Sequence, residues 1–527
     1  MNEEMNGLTR REFVSGIGAF GGLGLFGAVP GSCLDGTPNL RFGVLSDLHI
    51  RCVKGDCGYD GGPEAFEHAL EYFRDRDVDA VMIAGDMSDL GLGDELMLVG
   101  RTWDKVFPND RAANGKKVEK LFITGNHESG IFQWNGCLAR LRKMLPDEAE
   151  FRRQLLRYDY ATWWEKAFHE PYAPFYHKQV KGYDFLCANW DDGRPVTRPL
   201  EEYVGKGGAN PETFGIDLKK WLDEHGSTLD PKKPFFYQQH RNLWKTTYGD
   251  WGWGHDKGIA TDVLSAWPNA VSFSGDSHYS LTDERSIWQG AFTALGTATL
   301  RYSGTPYDSR DFASFENTVS RYRHRAKCDP VKTMPPYDPM KCRQGMVVNV
   351  YDDRMVVERR DFCGDQPLGD DWVLPLPIEN SAKPYGFAVR KEKARKPSFV
   401  ADAKLMVRRR KAKNRKGDEV DAVEIVIPPA VQTSADRCLE FAVTAFGKDG
   451  AKAEFNVLTE GFDRPPNHPR ACGPTVFSVA VDRLPTGTTR FEVAPLDCWW
   501  NRGAPLSVAL ANQTPEPPWP QPKPLVL

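Results

Sequence analysis

Asp47-Leu48-His49, Gly85-Asp86-Met87-Ser88-Asp89, Gly125-Asn126-His127-Glu128, His240 and Gly275-Asp276-Ser277-His278 follow one another along the chain. Their side chains are carboxylates, imidazoles and a carboxamide, the oxygen and nitrogen donors that hold divalent transition metals. Asp86 follows a Gly, so its carboxylate is free to reach two cations at once. Asp47 and His49 are two residues apart and can turn toward one ion. The chemistry such a set supports is hydrolysis: two cations about 3.5–4 Å apart bind a phosphoryl oxygen, activate water and offset charge on a leaving group. Taken singly, each motif has a plainer explanation. A strand-end Asp caps a helix, Gly-Asn and Gly-Asp make turns, and a lone His240 is an ordinary core or surface histidine. Occurring together and in order, they favour the metal site.

Elements must bring these residues together. Each motif directly follows an apolar, β-branched run: Phe42–Leu45, Ala80–Ala84, Leu121–Thr124, Phe235–Tyr237 and Val271–Phe273. Read as strands, these runs put all five motifs at carboxyl ends, where open α/β sheets place ligand sites.

The pattern resembles the calcineurin-like metallophosphoesterase superfamily, whose signature is D-x-H, G-D-x-x-D, G-N-H-[DE], a lone His and G-H-x-H. Four blocks match as they stand. The fifth has Asp276 where the family usually has its first His. The resemblance covers roughly residues 40–300. It implies an α/β fold, a sandwich of two mixed sheets flanked by helices, and a phosphatase or phosphodiesterase with two divalent metal ions (Mn, Fe, Zn, Mg or Ca). It implies that Asp47, His49, Asp86 and His278 hold one metal, and that Asp86, Asn126, His240 and the substituting Asp276 hold the other. His127 resembles the family's non-ligand histidine, which stabilises the transition state or protonates the leaving oxygen. Asp89 and Glu128 are then the partners that orient the histidine rings. The second motif lacks the Tyr with which purple acid phosphatases bind ferric iron, which disfavours that subgroup.

Substrate contacts are sought nearby. Arg241, Trp251, Trp253 and His255 follow the His240 strand; Trp134 and Trp190 follow other motifs. An exposed Trp stacks on a base or sugar, and Arg pairs with phosphate. Any single Trp is more often a packing residue, but in Trp251-Gly252-Trp253-Gly254-His255 the glycines let the loop approach a ligand.

A chain of 527 residues with net charge −4 has room for two or more domains, and its charge selects no partner class. Residues 1–33, with Arg10-Arg11 before a Gly-rich apolar stretch too short to span a membrane, resemble a twin-arginine export signal. That implies a periplasmic or cell-surface protein. Cys33 is a candidate lipid acceptor, though Pro30 makes a poor lipobox. The 11 Cys include no C-x-x-C pair, and their pairing is not legible from spacing. The catalytic region is expected over 38–363. It contains a helix from Leu138 to Phe168 interrupted at Pro146, a hairpin of Ala173–His177 with Tyr183–Ala188, a helix over Ile216–His225, an extended loop over 303–345 and a closing hairpin of Met346–Val350 with Met355–Arg359. A Pro-rich linker is expected over 364–397.

From 398 to 527, short strands at sandwich spacing suggest an accessory β-sandwich loosely resembling a fibronectin type III module. Residues 390–416 carry thirteen Lys or Arg against two acids. They suit either an anionic surface polymer or, preferably, a solvated edge strand. No nucleic-acid recognition motif accompanies them. The resemblance implies a substrate that is a phosphorylated small molecule or a phosphodiester. Two alternatives stay open: a nucleotide or cyclic-nucleotide phosphodiesterase, and a weakly catalytic glycan-binding surface protein whose second metal site Asp276 impairs.

Overall fold

The computed structural model describes residues 36–51, 63–129, 137–190, 212–247, 258–301, 343–378, 383–413, 419–433, 437–459, 461–468 and 471–511. The export-signal stretch 1–33, Trp134, Trp251, Trp253, His255 and nearly all of the 303–345 loop lie outside them. By its internal contacts the chain divides between Thr37 and Pro38, and the fold described is that of the second unit.

Two mixed sheets face each other. The first has the order β12-β11-β10-β1-β2-β3, with β13 also paired to β11. Its strands are β1 (Leu40–Leu45), β2 (Ala80–Ala84), β3 (Glu119–Ile123), β10 (Gln344–Val350), β11 (Arg354–Asp361), β12 (Gln366–Pro367) and β13 (Trp372–Pro375). The second runs β4-β5-β6-β7-β9-β8. It comprises β4 (Phe175–Val180), β5 (Tyr183–Ala188), β6 (Phe235–Gln238), β7 (Ala270–Ser274), β8 (Ile287–Gln289) and β9 (Thr293–Gly296). β1, β2 and β3 are parallel, as are β5, β6, β7 and β9, so the motif-bearing ends of each set point the same way. This is the two-sheet architecture that the family resemblance implied.

The sheets meet over a dry apolar layer. Phe42 is fully buried there, its ring 5.3 Å from Phe185, 5.0 Å from Phe236 and 5.9 Å from Phe273. Burying such a side chain contributes about 1.5–3 kcal/mol. β2 is apolar throughout, and β1 and β3 are apolar over Phe42–Leu45 and Leu121–Ile123, because both faces are covered there. The outer face of the first sheet packs on α1 (Glu64–Asp75), α2 (Gly93–Val106) and α5 (Tyr160–Phe168); α6 (Glu212–His225) and α7 (Ile259–Leu264) cover the second. In α1, buried Phe66, Ala69, Leu70 and Phe73 recur at helical spacing, and Glu64 and Glu67 occupy the positive N-terminal turn.

The helix expected over 138–168 is three: α3 (Cys137–Met144), α4 (Glu148–Gln154) and α5. Pro146 explains one break. Asp147 and Asp159 set the new starts, their carboxylates accepting from Glu150 N at 2.7 Å and Thr162 N at 3.1 Å. The stretch expected as a linker is also more ordered than its Pro content suggests. β13 completes the first sheet, with Met355 opposite Leu374, and α8 (Phe387–Lys393) follows.

The C-terminal region is all β. One sheet has the order β14-β15-β18: β14 (Met406–Lys413), β15 (Glu419–Ile427) and β18 (Thr475–Ala480). The other has β17-β16-β19-β20: β16 (Glu440–Phe446), β17 (Lys452–Leu458), β19 (Arg490–Leu496) and β20 (Leu506–Ala509). Both contribute to one core around Phe441, Val443, Phe477 and Phe491. Much of the basic charge is answered locally: Arg410 meets Glu424 at 2.7 Å and Lys411 meets Asp421 at 2.9 Å, with Arg408 also on Glu424. Nothing there supports binding of an anionic polymer. Among the described residues, no helix is long and apolar enough to cross a membrane.

Candidate metal centre

Five strand-end loops converge between the two sheets. Asp47, His49, Asp86, Asp276 and His278 all adopt left-handed backbone conformations, with φ of 54°, 45°, 55°, 61° and 55°. Such a conformation costs roughly 1–3 kcal/mol per residue and persists only where the surroundings impose it. Here backbone bonds between loops impose it: Asp47 N donates to Gly85 O at 3.0 Å, His49 N to Asp86 O at 3.0 Å and Gly275 N to His240 O at 2.7 Å. Two glycines are required by close approach. A Cβ on Gly125 would lie 2.2 Å from Asp86 Oδ1, and one on Gly275 would lie 1.9 Å from Ser46 Oγ.

One cluster holds Asp47, His49, Asp86 and His278, whose donor atoms all lie within 4.8 Å of one another. His278 Nε2 is 2.9 Å from Asp47 Oδ1 and 3.1 Å from His49 Nε2, and His49 Nε2 is 3.8 Å from Asp86 Oδ2. A second group centres on His240, whose Nε2 is 2.9 Å from Asn126 Oδ1, 3.2 Å from Asp86 Oδ2 and 3.6 Å from Asp276 Oδ1. Asp86 Oδ2 belongs to both groups. Its other oxygen accepts from His127 N at 2.8 Å.

These residues fit divalent cations. Asp47 Oδ1 is fully buried and faces His278 Nε2 at 2.9 Å. Two imidazole nitrogens point at each other, and buried carboxylates converge beside them. A buried pocket of this kind is costly unless positive charge occupies it. The charges already lean that way. Burial alone would raise the Asp47 carboxyl, but the charge of His278 and bonds from His278 and His49 hold it well below the usual range. Around His240, Asp86, Asp47 and Asp276 outweigh burial and raise it to about 10, so without a cation a proton supplies the positive charge that these carboxylates call for, and a bound cation would replace it.

The ring tautomers follow from the outer contacts. His49 Nδ1–H donates to Asp89 Oδ1 at 3.1 Å and His240 Nδ1–H to Ala84 O at 2.7 Å, which turns both Nε2 atoms inward. His127 Nδ1–H donates to Asp89 O at 2.7 Å, leaving Nε2 3.9 Å from Asp86 Oδ2. Asp89 thus serves two histidines, one through its side chain and one through its carbonyl.

One residue behaves differently from the sequence reading. Glu128 meets no histidine ring in its hydrogen bonds. Its carboxylate accepts from Ser88 N at 2.7 Å, Asp86 N at 3.2 Å and Gly125 N, tying two motif loops together. Burial, helped by the Asp86 charge, raises its carboxyl to about 7. Arg241, taken as a phosphate contact, has Nε 3.3 Å from Asp276 Oδ2 and its guanidinium 4.7 Å over the Trp190 ring. Sequence reasoning missed Ser46, Arg51 and Thr299. Ser46 Oγ bonds Asp47 Oδ2, Arg51 pairs with Asp89, and Thr299 Oγ1 donates to Asp47 O at 3.1 Å. The small polar run after β9, Thr297-Ala298-Thr299, was the available signal for a sixth converging loop.

Residues 40–279 match the sequence profile of the calcineurin-like phosphoesterase family. No curated protein matches the chain. Solved structures that align with it include a dimetal phosphatase from Danio rerio (14% identical, covering 64% of this chain and 99% of that one, TM-score 0.35). Another is purple acid phosphatase PPD1 from yellow lupin, Lupinus luteus (11% identical, 64% and 55% covered, TM-score 0.36). A third is Vacuolar Protein Sorting 29 from Cryptosporidium parvum (9% identical, 64% and 97% covered, TM-score 0.24).

Proposed function

We propose that this chain, a metal-dependent phosphoester hydrolase whose residues 40–279 form a calcineurin-like phosphoesterase domain, is an exported two-metal enzyme that hydrolyses a phosphomonoester or phosphodiester. The observation that carries the two-metal reading is Asp86 Oδ2, common to the His49 and His240 groups. Asp47, His49, Asp86 and His278 would hold one cation, and Asp86, Asn126, His240 and Asp276 the other. When bound, the pair supplies Lewis-acid charge for a phosphoryl group and for the attacking water. The protein's own residues do the rest. Asp89 orients His49, and Ala84 O orients His240. His127, held through Nδ1, presents Nε2 toward Asp86 and is the group to pass a proton to the leaving oxygen.

The reading with an impaired second site loses ground, because Asp276 Oδ1 lies 3.6 Å from His240 Nε2, within reach of a shared cation. The test is metal analysis of the purified chain together with hydrolysis of nitrophenyl phosphate and bis(nitrophenyl) phosphate. Two ions per chain with turnover of either ester is expected; one ion or none, without turnover, would sink the proposal. Export rests on Arg10-Arg11. Replacing both by Lys should retain the protein inside the cell, and unchanged export would refute the twin-arginine route.

A further inference from the structure

The loop carrying Asp276 and His278 packs directly against the C-terminal β region. Tyr279, the residue after His278, is 1% exposed and lies in an apolar cluster with Leu439, Leu458, Phe462, Cys498 and Trp499. All five partners belong to the C-terminal sheets and their connections. Polar contacts run alongside. Thr282 Oγ1 donates to Phe462 O. Gln344 Oε1 accepts from Leu281 N at 2.8 Å while its Nε2 donates to Asp463 O at 2.9 Å, bridging the loop to the β region. The Arg285 guanidinium lies 4.9 Å over the Trp500 ring.

This packing answers a question the metal cluster leaves open. Asp276 and His278 both hold left-handed backbone conformations, which a residue with a Cβ adopts only under constraint. On the inner side Asp276 N donates to Asp47 Oδ2 at 3.2 Å, Gly275 N donates to His240 O at 2.7 Å, and His278 Nε2 lies 2.9 Å from Asp47 Oδ1. On the outer side the constraint is the buried Tyr279 cluster.

We propose that the C-terminal β region is a positioning element of the metal centre. Phe462 and Trp499, acting through Tyr279, hold the 275–282 loop so that His278 and Asp276 face the cluster. Neither touches a reacting atom. The proposal rests on the two-metal reading above.

The experiment uses the full chain with Trp499→Ala and Phe462→Ala, each checked for folding by circular dichroism. Mn²⁺ is titrated by calorimetry, and bound metal is counted by elemental analysis. Each variant should bind at least one Mn²⁺ about 10–100-fold more weakly than the unaltered chain, the usual effect of removing an outer support of a ligand. Turnover lost at low Mn²⁺ should return at high Mn²⁺ with KM for nitrophenyl phosphate unchanged. Trp499→Phe, which keeps an aromatic ring in the cluster, should recover most of the affinity. Folded Ala variants with unaltered Mn²⁺ affinities would overturn the proposal. If both Ala variants fail to fold, Thr282→Val decides: at nearly constant volume it removes the hydrogen bond to Phe462 O, together with the one shared with Ser280 Oγ at 2.8 Å. About threefold to tenfold weaker Mn²⁺ binding is expected, and unaltered binding overturns the proposal. An unaltered chain that binds no Mn²⁺ sinks the two-metal reading itself, whereas normal binding by the variants sinks only the positioning role.

Discussion

Asp86 is the residue on which both donor groups depend, with Oδ2 3.2 Å from His240 Nε2 and 3.8 Å from His49 Nε2. Asp86→Ala should therefore abolish turnover and lower metal content at both sites; near-normal activity with two ions would show the groups to be independent. His127 stands apart from that role, since its Nδ1 is committed to Asp89 O. His127→Ala should keep both metals while slowing turnover by about 10²–10⁴-fold, and loss of an ion would make it a ligand instead. Asp276 tests metal choice. Its carboxylate is divided between His240 Nε2 and Arg241 Nε. An added oxygen donor makes the site harder, favouring Mn²⁺, Mg²⁺ or Ca²⁺ over zinc, and added negative charge weakens the cations' pull on bound water. Asp276→His should raise zinc retention and shift the activity optimum to lower pH; an unchanged profile would leave Asp276 outside the metal site.

At the scale of elements, β13 shows how a stretch of linker-like composition becomes sheet. Trp372–Pro375 pairs with β11, and Trp372 Nε1 donates to Glu284 Oε2 at 3.0 Å. Asp371, immediately before it, is half-buried. Burial, reinforced by Glu358, raises its carboxyl to about 6. The folded state therefore holds this proton more tightly than the unfolded chain, where the value is 3.8. The stabilisation is complete below pH 4 and is lost as pH rises through 6. Partial exposure discounts the effect to about 1 kcal/mol. Asp371→Asn, which mimics the protonated form, should be more stable than the unaltered chain at pH 8 by roughly that amount and indistinguishable from it at pH 4. Urea midpoints at the two pH values decide the matter, and equal differences at both would be contrary to it.

At the scale of the molecule, Glu284 joins regions far apart in sequence. Its carboxylate receives Arg359 Nη1 of β11 at 2.7 Å, Trp372 Nε1 of β13 and Arg390 of α8. Arg390 in turn lies 4.6 Å over the Trp499 ring. Burial opposes the Glu284 charge, but Arg359 and Arg390 prevail and hold its carboxyl below the usual range. Glu284→Ala would leave two mostly buried guanidinium groups uncompensated, at a cost of about 3–5 kcal/mol. Because those groups couple the catalytic sheets to the C-terminal region, both should unfold in one transition at a lower denaturant midpoint. Separate transitions in the unaltered chain would mean the coupling is weak.

Much of this protein is legible from residue order. The apolar runs before Asp47, Asp86, Asn126, His240 and Asp276 have strand character because both faces of a central strand are buried, and the motifs then fall at strand ends by position alone. Local pattern also marks the β4–β5 hairpin and the closing β10–β11 hairpin. Only the tertiary structure decides the rest. That Arg241 turns to Asp276, that Glu128 ties backbone loops rather than a ring, and that Thr299 reaches Asp47 all depend on which loops meet across two sheets. The packing of Tyr279 against Phe462 and Trp499 is likewise invisible in sequence. The partners are more than 180 residues apart, and apolar contact is non-directional, so no local spacing encodes which surfaces will close on each other.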